Sequence, residues 1–276
     1  MQMTDFQKIL IFSDIHLTSG GKKIIGLNPL QKLQLAVSHA LQNHPDSQHI
    51  VFTGDLAHEG DIEGYKALKR ITKKIKLPIT FMMGNHDNRK SFSEVFSEVD
   101  FDPYGFLQSQ ISINSFQLLF LDTLHESSSL LDKNKGFLCS KRLHWLDKKL
   151  NLAQNKKIII FMHHPPFPVG FKAMDQIRLQ NSESFFSILD QYNNIAHIIS
   201  GHVHRTISGH FNGYGFSIFK STCHQMPMQF DSENVKLSAA EPGAYGILFV
   251  QRDSLVVHNE DFDLSKLNNQ IFENYD

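Results

Sequence analysis

The chain has very little cysteine: Cys139 and Cys223 are its only two in 276 residues, far apart and in no CxxC pair. That excludes a disulfide framework and a zinc ribbon, and leaves buried thiols as the expectation. Net charge is nearly absent too, at -1, so there is no basic footprint for long nucleic acid or an anionic membrane surface. No stretch approaches the ~18 consecutive apolar residues of a membrane span. The brief apolar run near the amino end passes straight into Ser13-Asp14, without the longer apolar region and cleavage site of a signal peptide. Internal repeats, low-complexity tracts and interdomain linkers are missing as well. With 41% apolar residues available for a core, the expectation is one cytoplasmic domain over residues 1–263 and a polar tail over 264–276.

What is present is a set of five short apolar runs, each ending in side chains that can bind metal. They are Asp14-Ile15-His16, Gly54-Asp55, Gly84-Asn85-His86-Asp87, His163-His164-Pro165-Pro166 and Gly201-His202-Val203-His204. Each follows a strand-like stretch, at residues 9–12, 50–52, 79–82, 158–161 and 198–199. All five polar sets should therefore emerge at the carboxyl ends of strands, where open α/β sheets bind ligands. His202 and His204, two residues apart at a strand end, are expected to point the same way and to be able to reach neighbouring metal ions.

Between these runs lie helical spacings. Residues 29–42 carry Leu30, Leu33, Ala36, Val37, Ala40 and Leu41 on one face, and residues 64–75 and 143–152 are also helix-like. The alternation predicts a layered α/β fold. Residues 111–122, 216–222 and 245–257 read as successive short strands with turns such as Arg252-Asp253-Ser254, and are expected in a second, partly antiparallel sheet. Residues 165–181 read as a long loop over the strand ends, with Asp175 or Asn181 facing substrate or a partner chain.

The ordered set Asp-x-His, Gly-Asp, Gly-Asn-His-Asp, His-x-Pro and Gly-His-x-His, running from about Ile9 to His204, resembles the calcineurin-like metallophosphoesterase superfamily. Gly54-Asp55-Leu56 followed by Gly60, His163-His164-Pro165-Pro166 and Ser221-Thr222-Cys223-His224-Gln225 resemble in particular the bacterial class III cyclic-nucleotide phosphodiesterases and their glycerophosphodiesterase relatives. The resemblance implies a four-layer αββα sandwich, an α/β fold of two mixed β-sheets flanked by helices, holding two divalent ions. It implies that Asp14, His16 and His204 join Asp55 at one ion, and that Asn85, His163 and His202 join it at the other. His86 would be the general acid, with Asp87 orienting that region, and His16, Asp55, Asn85, His86 and His204 would touch substrate. One departure stands out. The stretch Gly54-Asp55-Leu56-Ala57-His58-Glu59-Gly60 lacks the Asp-Arg-Gly that many relatives carry, which argues against a protein Ser/Thr phosphatase.

The chemistry accounts for these residue types. Two divalent ions about 3.5 to 4 Å apart need an anionic ligand between them, and a carboxylate can span both. Against about +4 from the ions, Asp14, Asp55 and a bridging hydroxide supply about -3, leaving about +1 for a phosphodiester of charge -1. The donors are nitrogen and oxygen only, which fits manganese, iron, zinc or cobalt. The chain has 16 histidines. Most of them, His58 included, are expected to be ordinary polar residues; His164 should face away from the ions or support them, and His224 is balanced between a place near substrate and a plain strand position.

The expected activity is hydrolysis of a small phosphodiester, foremost a 3′,5′-cyclic nucleotide such as cAMP, by in-line attack of the bridging hydroxide. The alternatives are hydrolysis of a glycerophosphodiester or phospholipid-derived diester, and a non-catalytic metal-binding interaction module. No long nucleic acid and no membrane span are expected, and a homodimer is compatible with the sequence.

Overall fold

A computed structural model describes residues 6–127, 129, 132–252 and 254–264. In chain order the strands are β1 (Gln7–Phe12), β2 (His49–Phe52), β3 (Ile79–Phe81), β4 (Ser109–Ile113), β5 (Phe116–Leu121) and β6 (Lys157–Met162). They continue with β7 (Ile195–Ser200), β8 (Ile207–Phe211), β9 (Tyr214–Ile218), β10 (Ala244–Val250) and β11 (Leu255–Asp261). The helices are α1 (Pro29–Asn43), α2 (Ile62–Thr72), α3 (Arg89–Val95), α4 (Ser140–Leu152), α5 (Lys172–Gln176) and α6 (Ser182–Leu189). The tail expected over 264–276 lies, apart from Leu264, outside the described residues.

The strands form two mixed sheets, one ordered β11-β10-β1-β2-β3 and the other β4-β5-β6-β7-β9-β8. Side-chain alternation decides which core each residue joins. On β1, Leu10 and Phe12 turn toward α1 and α2, whereas Ile9 and Ile11 turn toward the other sheet. On β6, Ile158, Ile160 and Met162 pack under α4 and α6, whereas Ile159 and Phe161 face Ile9 and Ile11's layer. Both faces of central strands such as β1, β2 and β6 are thus covered, which is why these strands read as unbroken apolar runs. The arrangement is the expected four-layer sandwich.

One detail differs from the sequence expectation. The short-strand segments do not gather into a separate sheet. The β4–β5 and β8–β9 hairpins flank β6 and β7, whereas the β10–β11 hairpin pairs antiparallel with β1. The five ligand-bearing strands are split as well, β1 to β3 in one sheet and β6 and β7 in the other. Turn residues announce a hairpin, but the sheet that a hairpin joins depends on long-range pairing that they do not encode.

Helix starts are capped by residues beside the motifs. Asn28 accepts from Gln31 N, Asp61 from Gly64 N, and Asn88, directly after Asp87, from Ser91 N. The first residue of α3 then anchors the layers together. Arg89 grips the fully buried Asp122 through Nε (2.8 Å) and Nη2 (2.7 Å), and Arg142 of α4 donates to the carbonyls of Asp122 (2.7 Å) and Leu124 (2.9 Å). Removing the carboxylate would leave the buried Arg142 guanidinium without its counter-charge and Arg89 with only the exposed Glu126, 3.1 Å away. Asp122→Ala is expected to lower unfolding free energy by about 3 to 5 kcal/mol in urea titration; a loss under about 1 kcal/mol would contradict this account of the layer contact.

Candidate metal centre

All seven candidate ligands come together where the two sheets present their strand ends side by side. Asp14 and His16 follow β1, Asp55 follows β2, Asn85 follows β3, His163 follows β6, and His202 and His204 follow β7. Among the described residues eight non-glycine positions have positive φ, and five of them are Asp14 (51°), His16 (46°), Asp55 (49°), His202 (70°) and His204 (52°). A left-handed residue costs roughly 1 to 3 kcal/mol, so the chain spends strain at this site in order to turn each strand end sharply inward. The turn also overrides strand alternation. His202 leans on His163 and His164, at ring-centroid distances of 5.2 and 4.5 Å, while His204 lies beside His16 and His224. The two histidines therefore reach different ends of the site, as their assignment to neighbouring ions requires.

Asp55 stands between the two ends. Its Oδ2 is 3.5 Å from His16 Nε2 and 3.5 Å from His163 Nε2, while Oδ1 accepts from the backbone N–H of His86 (2.9 Å). On one side, Asp14 Oδ1 lies 3.4 Å from His204 Nε2, which is 3.1 Å from His16 Nε2. On the other, Asn85 Oδ1 lies 3.3 Å from His163 Nε2. Glycine makes the approach feasible. A Cβ on Gly54, whose φ is 102°, would sit 2.5 Å from His163 Nδ1, and one on Gly84 would collide with the Asp55 carboxylate. Asp87 ties these two loops together by accepting from Leu56 N, Ala57 N, Gly84 N and the Tyr65 hydroxyl.

The electrostatics are those of a site built for cations. Burial raises the Asp55 carboxyl, but the charges of His163, His86 and His16 outweigh it and hold its pKa well below the usual range. Asp14 is likewise lowered, with burial opposed mainly by His204 and His163. Burial pulls His163 down, yet Asp55 and then Asp14 raise it to about 9. Burial, followed by His163, lowers His202 to about 3, and burial with the charge of Asp55 raises Asp87 to about 6. Two fully buried imidazole nitrogens, Nε2 of His202 and Nε2 of His164, have no hydrogen-bond partner. Orphaned nitrogens, converging carboxylates and an oxygen-and-nitrogen donor set all fit a pair of divalent ions. Donor atoms within 4.8 Å of one another include those of Asp14, His16, Asp55 and His204 at one end and of His163, His164 and His202 at the other; His16 also groups with His204 and His224 and with His58 and His86.

Several neighbours exceed the sequence expectation. His58, taken as ordinary, places Nδ1 at 3.2 Å from His16 Nδ1. His224 lies against His16 and His204, and its carbonyl accepts from His204 Nδ1. His164 is fully buried, with Nδ1 on the Thr123 hydroxyl (2.7 Å). Asp175 and Asn181 do not face the site. Asp175 accepts from Val169 N and Gly170 N, and Asn181 pairs with the backbone of Leu138. Their segment is not loop throughout, since α5 interrupts it, and it contributes Met174 and Ile177 to the cavity wall. Of the two thiols, Cys223 is buried and Cys139 only partly so.

A cavity of about 430 Å³ opens over the site, with His16, Asp55, Asn85, His86, His202 and His204 on its floor. Fold and floor together define a metallophosphoesterase. The calcineurin-like phosphoesterase family matches residues 7–206, and the chain belongs to it. A probable cyclic nucleotide phosphodiesterase of Rhodopseudomonas palustris is 34% identical over 256 residues, 92% of each chain. A probable glycerophosphodiester phosphodiesterase of Arcobacter nitrofigilis is 31% identical over 233 residues, 83% of this chain and 84% of that one. A dimetal phosphatase from Danio rerio shares the fold at a TM-score of 0.70 and 16% identity, over 94% of this chain and 97% of that one. The family fold implies a binuclear divalent centre. Among the described residues no helix is long and apolar enough to cross a membrane.

Two outcomes follow from the placement of Asp55 and the basicity of His163. Elemental analysis of Asp55→Ala should find both ions depleted, whereas Asp14→Ala should retain close to one; two full equivalents in Asp55→Ala would remove it as the shared ligand. In metal-stripped protein, the raised pKa of His163 contributes stability below its unfolded value near 6.5 that is lost as pH rises through about 9. Thermal unfolding should therefore weaken over that interval without metal, while stabilisation by added Mn²⁺ grows as the competing proton leaves. Parallel trends with and without metal would contradict this.

Proposed function

We propose that the protein hydrolyses phosphodiesters, foremost 3′,5′-cyclic nucleotides, with His86 as the general acid. The observation that carries the reading is the position of His86 over the shared carboxylate. Its backbone N–H holds Asp55 Oδ1 at 2.9 Å, and its Nδ1 donates to the His58 carbonyl at 2.7 Å. With Nδ1 committed there, Nε2 is the nitrogen left to hand a proton to a departing alkoxide. Asp14, His16, Asp55 and His204 would hold one ion, and Asp55, Asn85, His163 and His202 the other. Such a pair, when bound, supplies an activated water and neutralises the phosphate oxygens. Asn85, directly after Gly84, and His204 flank the space that the phosphate would occupy.

The cyclic-nucleotide preference draws on the Rhodopseudomonas palustris relative and on the cavity walls. Ile24, Ile25, Met174, Ile177, Met226 and Leu237 are apolar, and among the described residues Lys236 is the charged member of the wall. Such walls suit the faces of an uncharged base. The Arcobacter nitrofigilis relative supports the second reading, a glycerophosphodiester, whose small polar alcohol would leave those walls unmatched. A metal-replete panel of cAMP, cGMP and glycerophosphodiesters at equal concentration separates the two. Manganese, iron, zinc and cobalt all suit the donors.

The acid role makes a sharper demand. Proton donation is worth about 10² to 10⁴ in rate when the leaving alkoxide is strongly basic, and little for p-nitrophenolate. His86→Ala should lose that order of activity on cyclic nucleotides and much less on bis(p-nitrophenyl) phosphate, at near-unchanged metal content. Equal losses on both substrates would assign His86 to substrate positioning and move the search for the acid to His224.

A further inference from the structure

Three of the ligand histidines have their second ring nitrogen hydrogen-bonded, and the partners differ in kind. His163 Nδ1 donates to the Thr53 carbonyl (2.8 Å) and His204 Nδ1 to the His224 carbonyl (2.9 Å). A carbonyl can only accept, so both rings are fixed with the proton on Nδ1 and the lone pair on Nε2. His16 has no carbonyl partner. Its Nδ1 lies 3.2 Å from Nδ1 of His58, and two imidazole nitrogens at that distance share a single proton. His16 Nε2 points into the donor cluster, 3.1 Å from His204 Nε2 and 3.5 Å from Asp55 Oδ2. The shared proton therefore belongs on His16 Nδ1, and His58 Nδ1 accepts it.

Residue 58 is itself well fixed. Its N–H donates to the Leu17 carbonyl (2.9 Å), its own carbonyl takes His86 Nδ1, and its ring stacks on His86 at 5.0 Å with a 20° interplanar angle. It stands where the sequence departs from Asp-Arg-Gly. We infer that His58 is the positioning residue of His16: by accepting the Nδ1 proton it sets the tautomer and ring plane that present Nε2 to the ion in the Asp14 group. The inference rests on the two-ion reading above. Being a neutral acceptor, His58 adds less electron density to its ligand than a carboxylate would, so a carboxylate in its place should tighten that one ion.

Mn²⁺ titration of the purified chain, followed by calorimetry and by the paramagnetic resonance of bound Mn²⁺, tests this in three proteins. The unsubstituted chain should take up two ions. His58→Phe keeps a flat ring without an acceptor and should weaken one site about 10- to 100-fold, leaving the other nearly unchanged. His58→Asp should restore that site to the original affinity or beyond. Unchanged binding in His58→Phe, equal weakening of both sites, or failure of His58→Asp to restore the weakened one would each overturn the role of His58 while leaving the two-ion reading intact. Uptake of fewer than two ions by the unsubstituted chain would overturn both.

Discussion

The site depends on one carboxylate held between two groups of imidazoles. Asp55 Oδ2 is equidistant, at 3.5 Å, from His16 Nε2 and His163 Nε2, and these histidines come from different sheets. Without cations, the carboxylates of Asp55 and Asp14 raise His163 and His204 against the effect of burial, while burial first, and then the neighbouring imidazoles, lower His16 and His202. The uneven sharing of protons is the signature of a site whose intended counter-charge is metal.

Holding that carboxylate in place draws on the surrounding fold. The left-handed turns at Asp14, His16, Asp55, His202 and His204 each oppose folding, and the hydrogen bonds around them offset it. Asp14 accepts from the backbone N–H of His202 at 3.0 Å, which joins the ends of β1 and β7. Asp87 gathers the backbone of both the Gly54 and Gly84 loops. Three apolar cores then keep the two sheets at the spacing these contacts need.

Much of this was legible in the sequence because the chemistry is local there. Apolar runs gave β1, β2, β3 and β6 to within two residues at either end and only the last part of β7, and amphipathic spacing gave α1, α2 and α4. The candidate ligands were legible because Asp14, Asp55 and the histidines stand at the ends of those runs. The rest was hidden for a physical reason. Whether β10 pairs with β1 or with a separate sheet is a long-range choice, and the left-handed turns that send His202 and His204 apart leave no periodic trace. His58 could not be told from an ordinary polar residue, and His224 was left evenly balanced, since proximity to His16 is created only by folding. Asp175 read as an exposed loop acid, yet its carboxylate is consumed in closing its own loop on Val169 and Gly170.

The most direct measurement is anomalous diffraction from crystals of the Mn²⁺-loaded protein. The account predicts two peaks about 3.5 to 4 Å apart, both within coordination distance of the Asp55 carboxylate, one also bound by Asp14, His16 and His204 and the other by Asn85, His163 and His202. A single peak, or two peaks of which one does not touch Asp55, would contradict it.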